Sequence, residues 1–139
     1  MLQQSRHALC ALTFGPFLLV SSAFAQGEDA QLAFVGDVEK CKAHLAVSVE
    51  LYAKGDRAAA LHASHPIQEI GNKVIGPASK VSADLGDTVR AALRRPSADL
   101  KAATPPQQYE QTVREAMSTL DGAVERVVQE ITPKLPRGV

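Results

Sequence analysis

The sequence predicts an all-α protein, an up-down four-helix bundle that follows a cleaved signal peptide. Three observations carry that expectation. Apolar residues recur at steps of three and four along several long stretches, as they do on a helix with one buried stripe. No stretch alternates apolar and polar residues with a period of two, and no hairpin dipeptide separates two β-rich runs. The connections between the periodic stretches are mostly short, which suits antiparallel neighbours.

The first 25 residues stand apart from the domain. Arg6 and His7 precede an apolar run over 8–20, and SSAFA at 21–25 ends in an A-x-A pattern. A basic start, a short apolar run and small residues at the cut mark a secretory signal. The run is shorter than the ~20 apolar residues that a spanning helix requires. Cleavage after Ala25 leaves residues 26–139 as a single helical-bundle domain, exported to the periplasm or secreted.

Charge excludes some partners. The chain carries 15 basic and 15 acidic residues, and the signal removes only Arg6, so the mature net charge is 14 − 15 = −1. That balance gives no electrostatic reason to bind nucleic acid or anionic lipid. With no second long apolar segment, no stable membrane insertion is expected.

The first mature helix is expected over 37–54, with an extension back to 29. Val38, Cys41, Leu45 and Tyr52 form its stripe, with Ser48 filling the remaining step. Asp37 suits the N-cap and Gly55 the C-terminal stop. Asp56 then caps a second helix, which runs from 56 to about 75 and bends near His65, because Pro66 removes a hydrogen bond and crowds the preceding turn. Gly76 and Pro77 read as a break. Val81, Leu85, Val89 and Leu93 predict a third helix over 78–94, ended by Arg95 and Pro96, with a loop to Pro106. The fourth spans 106–131. Tyr109, Val113, Met117, Leu120, Val124, Val127 and Ile131 recur along it at steps of four and three.

The candidate site lies where the first two helices fold back on each other. The mature chain has three histidines, His44, His62 and His65, all within 22 residues (44–65). With the turn at 54–56, residues whose numbers sum to about 110 face each other, so His44 meets the region of His65 and Glu69. Cys41 and His44 share a face at i,i+3, and His65 and Glu69 share one at i,i+4. Helix bundles build metal sites from such pairs. A mixed nitrogen, oxygen and sulfur donor set suits zinc, copper or iron. His44, His65 and Glu69 are the expected metal ligands, with His62 and Cys41 as further members.

Blander roles stand beside that one. His44 can be an interior histidine bonded across the bundle, and His62 and His65 can be solvated residues near a bend. Cys41, the one cysteine of the mature chain, is buried, bound to something or paired with another chain. The run CKAH at 41–44 lacks the second cysteine of a haem attachment motif, and no third group orients a Cys–His pair for catalysis. No enzyme is expected.

Residues 53–75, AKGDRAAALHASHPIQEIGNKVI, resemble the first helical hairpin of imelysin-like periplasmic proteins, including the EfeO class linked to iron uptake. Those proteins have an alanine-rich helix after a Gly-Asp turn, then metal-binding carboxylates where this chain has His65 and Glu69. The G-x-H-x-x-E motif of that family is not present here. The resemblance implies a periplasmic helical metal-binding protein.

Together these features lead to the expectation of a small exported protein that binds a transition metal or metal cofactor for storage, sensing or delivery. The alternative is a non-catalytic module of the cell envelope, without metal, that packs on a partner protein.

Overall fold

The computed structural model describes residues 17–131, with side chains described for 27–130. Of the expected signal peptide, residues 1–16 lie outside the described residues. Among the described residues every element is helical: α1 (Phe17–Ala53), α2 (Ala58–His65), a π-helical segment (Pro66–Ile70), α3 (Gly71–Val81), α4 (Ala83–Lys101) and α5 (Pro106–Ile131). The segment from α2 through α3 is one broken helix, so four helical rods result. None of the described helices is long and apolar enough to cross a membrane.

The first helix starts earlier than expected, at Phe17 rather than at 37 or 29. Asp37 is an interior helical residue whose carboxylate pairs with Lys40 at 3.3 Å instead of capping an end. The reason lies in the stripe. Phe34, four residues before Val38, continues it and is buried with Val38, Cys41, Leu45 and Ser48. At 1.5 Å per residue the 37 residues of α1 make a rod about 55 Å long.

Gly55 ends α1. It takes φ +72°, its N–H donates to the Tyr52 carbonyl at 3.0 Å, and the Asp56 N–H reaches the Leu51 carbonyl at 2.9 Å. That pair of bonds is a Schellman stop, which favours glycine because the left-handed backbone crowds a Cβ. Asp56 then accepts from the Ala58 N–H at 2.9 Å and starts α2. The hairpin expected at Lys54, Gly55 and Asp56 is therefore formed by two local devices.

Pro66 does what a proline in a helix must. Its missing N–H and its ring are accommodated by a widened π turn over Pro66–Ile70, and the chain resumes as α3. Two other expectations about proline fail. Pro77 lies inside α3 and Pro96 inside α4, so neither ends a helix. Pro96 is among the largest fully buried side chains, and burial of its ring offsets the lost hydrogen bond. The third helix accordingly extends to Lys101, and the expected loop shrinks to 102–105. The true break is Ser82, extended at φ −161° and ψ 149°, whose hydroxyl accepts from the Leu85 N–H at 3.2 Å to cap α4. The expectation for 106–131 matches α5.

The core lies between the rods. α1 packs on α2 and α5, and α4 packs on α3 and α5. Leu45, Val74, Val89, Leu93, Leu120 and Val127 fill it, with Ala63, Ala78, Ala116 and Ala123 buried among them. Each fully buried Leu or Val contributes about 1.5–3 kcal/mol of transfer free energy. Among the described residues the buried side-chain polar atoms are paired. Ser48 donates to the Leu45 carbonyl, which leaves Tyr109 to donate to Ser48 at 2.6 Å. Thr112 donates to the Asp99 carboxylate at 2.6 Å.

Candidate functional site

The hairpin of α1 and α2 sets the site. His44 lies one turn beyond the buried Cys41 on α1, at the edge of the packed stripe. His62 and His65 occupy adjoining positions on α2, and Glu69 follows within the π segment. All three imidazoles are half-buried, so each keeps some solvent access while its neighbours exclude the rest.

Their mutual geometry is tight. The Nδ1 atoms of His44 and His62 stand 3.1 Å apart, with ring centroids 5.3 Å apart and planes inclined by 33°. The His65 ring stacks on His44, centroids 4.3 Å apart and planes at 24°. His65 Nε2 meets the Glu69 carboxylate at 2.5 Å. The four residues thus form a continuous chain, His62 to His44 to His65 to Glu69.

Protonation is constrained by that arrangement. An Nδ1–Nδ1 hydrogen bond requires one ring to donate and the other to accept, so both cannot be imidazolium at once. Burial pushes the His44 pKa below the ordinary histidine value, and the charges of His65 and His62 push it further down, against a smaller opposing pull from Glu69. A neutral imidazole is the form that ligates metal.

Of the expected site residues, His44, His62, His65 and Glu69 are brought together. Cys41 takes a different position. It is fully buried in the apolar core, and burial, helped by Asp37, pushes its thiol up to about 11. Without a metal, a thiol so raised stays protonated at neutral pH.

No protein-family model, curated protein or solved structure matches the chain.

Among the described residues no group of three or more His, Cys, Asp and Glu side chains is set to hold a metal ion. The direct contact between two imidazole nitrogens is nevertheless informative. Two such nitrogens on one tetrahedral Zn²⁺, each at about 2.0–2.1 Å, lie about 3.3 Å from each other. The 3.1 Å separation of His44 and His62 is close to that edge.

The sequence ranked His65 above His62 as the partner of His44, and in fact His62 makes the nitrogen contact while His65 makes the stack. The hairpin pairs 44 with 62 as well as with 65, so its centre lies slightly nearer α1 than the turn residues alone imply.

Proposed function

We propose that this is a small exported helical protein, its rods arranged up and down, that binds a transition metal at the His44, His62, His65 and Glu69 cluster. His44 and His62 supply two nitrogens, and His65 with Glu69 completes the site. Imidazole-rich sets suit zinc, copper or iron. The role is storage, sensing or delivery of the ion rather than catalysis.

One observation carries the reading: the 3.1 Å approach of the Nδ1 atoms of His44 and His62 from two different helices. Beside the hydrogen bond they can share, nitrogens at that distance nearly span the edge of a tetrahedral Zn²⁺ site. The packing of α1 on both α2 and α5, and of α4 on both α3 and α5, supports the up-down arrangement.

The test is metal content. Protein purified from the periplasm should carry a transition metal in stoichiometric amount, and a chelator should lower its melting temperature by linkage. Wild-type protein whose metal content equals that of His44→Ala, or whose melting is indifferent to the chelator, refutes the reading.

A second reading, docking of a partner protein, is favoured by a different feature. Leu61 is 61% exposed and borders a cleft of ≈ 480 Å³ between α2 and α4, shared with Ala60 and Leu100. Leu61→Arg would abolish such an association and leave metal content unchanged.

A further inference from the structure

Resting on the docking reading above, we propose that the groove between α2 and α4 receives one amphipathic helix of a partner protein, whose flanks carry carboxylates. Two clefts make up the groove. The first, of ≈ 480 Å³, is bordered by Leu61, Ser64, Ser97 and Lys101. The second, of ≈ 210 Å³, runs on past Tyr52 to Arg57 at the turn between α1 and α2. They share Ala60 and Leu100, so the depression is continuous. From Arg57 to Gln68, its far ends along α2, the rise of a helix spans about 16 Å, three turns of an incoming helix.

Shape and charge both point to that occupant. Small side chains line both walls, Ala60 and Ser64 on α2 and Ser97 on α4, and leave room for a third helix to approach. Leu61, 61% exposed, and the half-buried Leu100 offer apolar contacts. An amphipathic helix meets such a groove with side chains at steps of three and four. The sign of the charge comes from the lining. Among the described residues the lysine and arginine ion pairs engage Lys40, Lys42, Arg90, Arg95 and Arg114. Arg57 and Lys101 are in none of them. Asp56, the one carboxylate along the two clefts, already accepts from the Ala58 N–H. The lining therefore carries a net charge of 2 − 1 = +1, and carboxylates beside an apolar stripe are its complement.

Two labelled synthetic helical peptides test the proposal by fluorescence anisotropy with the purified chain. Both carry leucines at steps of three and four; glutamates flank the stripe in one and lysines in the other. The glutamate peptide should bind roughly ten-fold more tightly, as two exposed ion pairs against two repulsions allow, and the gap should close at about 1 M salt. Arg57→Glu combined with Lys101→Glu should reverse the order, and Leu61→Ser should weaken both peptides. All three side chains are exposed, so the variants keep the fold, which circular dichroism checks. Equal binding of the two peptides, still weakened by Leu61→Ser, overturns the acidic partner and leaves docking at the groove in place. Binding of neither peptide, or binding indifferent to Leu61→Ser, refutes the docking reading as well. Self-association that Leu61→Ser removes, or flotation with phosphatidylglycerol vesicles, gives the groove a different occupant and overturns the proposal.

Discussion

The imidazole of His44 on α1 stacks on that of His65 on α2, ring centroids 4.3 Å apart and planes inclined by 24°. The two residues are separated by a full hairpin. They meet because a Schellman stop at Gly55 and a cap at Asp56 return the chain along itself. The same return brings His62 Nδ1 against His44 Nδ1. The convergence of the three imidazoles therefore depends on the hairpin.

Removing either nitrogen of the close pair should be felt at once. His44→Ala and His62→Ala are each expected to weaken Zn²⁺ binding, because each deletes one nitrogen of the pair. Calorimetric titration of both variants beside wild type checks this. Unchanged binding in either would contradict it.

The metal-free protein should lose stability in mild acid. His44 has a folded pKa below its ordinary value through burial and through His65 and His62, against the pull of Glu69. The unfolded chain therefore binds the proton more readily. The stabilising contribution is fully present above the unfolded pKa of about 6.5 and declines as pH falls through it toward the lower folded value. Urea melts of wild type and His44→Gln between pH 7.5 and 5 should show a steeper decline for wild type. Parallel curves would rule out His44 as the source.

Cys41 should be inert while the fold lasts. It is fully buried and its thiol is pushed up to about 11, so the reactive thiolate is scarce at pH 8. In a chain carrying Cys10→Ser, a thiol reagent should label nothing until denaturant is added. Rapid labelling in native buffer would place Cys41 at an accessible site.

Gly86 on α4 packs directly against Ser79 on α3. A Cβ built there would stand 2.0 Å from Ser79 Oγ and 3.0 Å from the Ser79 Cα, so the backbone as well as the hydroxyl stands in the way. Gly86→Ala should destabilise by about 1–3 kcal/mol, since the two helices must move apart. Ser79→Gly in the same chain should restore part of the loss. Equal stability of wild type and Gly86→Ala by denaturant melting would contradict that packing.

Ala103 offers the opposite case. It takes φ +54° at the end of α4, where its N–H meets the Leu100 carbonyl at 3.1 Å and the Thr104 N–H meets the Asp99 carbonyl at 3.1 Å. That is the glycine position of a Schellman stop held by an alanine. Ala103→Gly should raise stability by up to about 1 kcal/mol as the left-handed strain is relieved, and a lower midpoint in urea would refute the strain.

Much of this architecture could be read from residue order because its determinants are local. The stripe Val38, Cys41, Leu45, Ser48 is buried as its spacing implies. The glycine and aspartate of the turn act within a few residues of themselves, and so does the proline that produces the π turn. Two prolines were misread for a non-local reason. Whether Pro77 or Pro96 ends a helix depends on what its ring packs against. Pro96 is fully buried, a fact set by the neighbouring helices. Ser82, the real break, has no proline or glycine beside it, and its capping role depends on the extended backbone at that one residue. At the site, the clustering of histidines was plain, but the choice between His62 and His65 as the nitrogen partner of His44 turned on a small offset of the hairpin that spacing alone does not resolve. The fate of Cys41 turned on burial in the same way.

X-ray absorption at the zinc edge of Zn²⁺-loaded protein reads the donor atoms around the ion. The expected spectrum has imidazole nitrogens at about 2.0–2.1 Å with the outer-shell scattering of histidine rings, reduced by one ring in His62→Ala. A shell of oxygens without ring scattering, or a sulfur at about 2.3 Å, would contradict the assignment of the ion to the histidines of the hairpin.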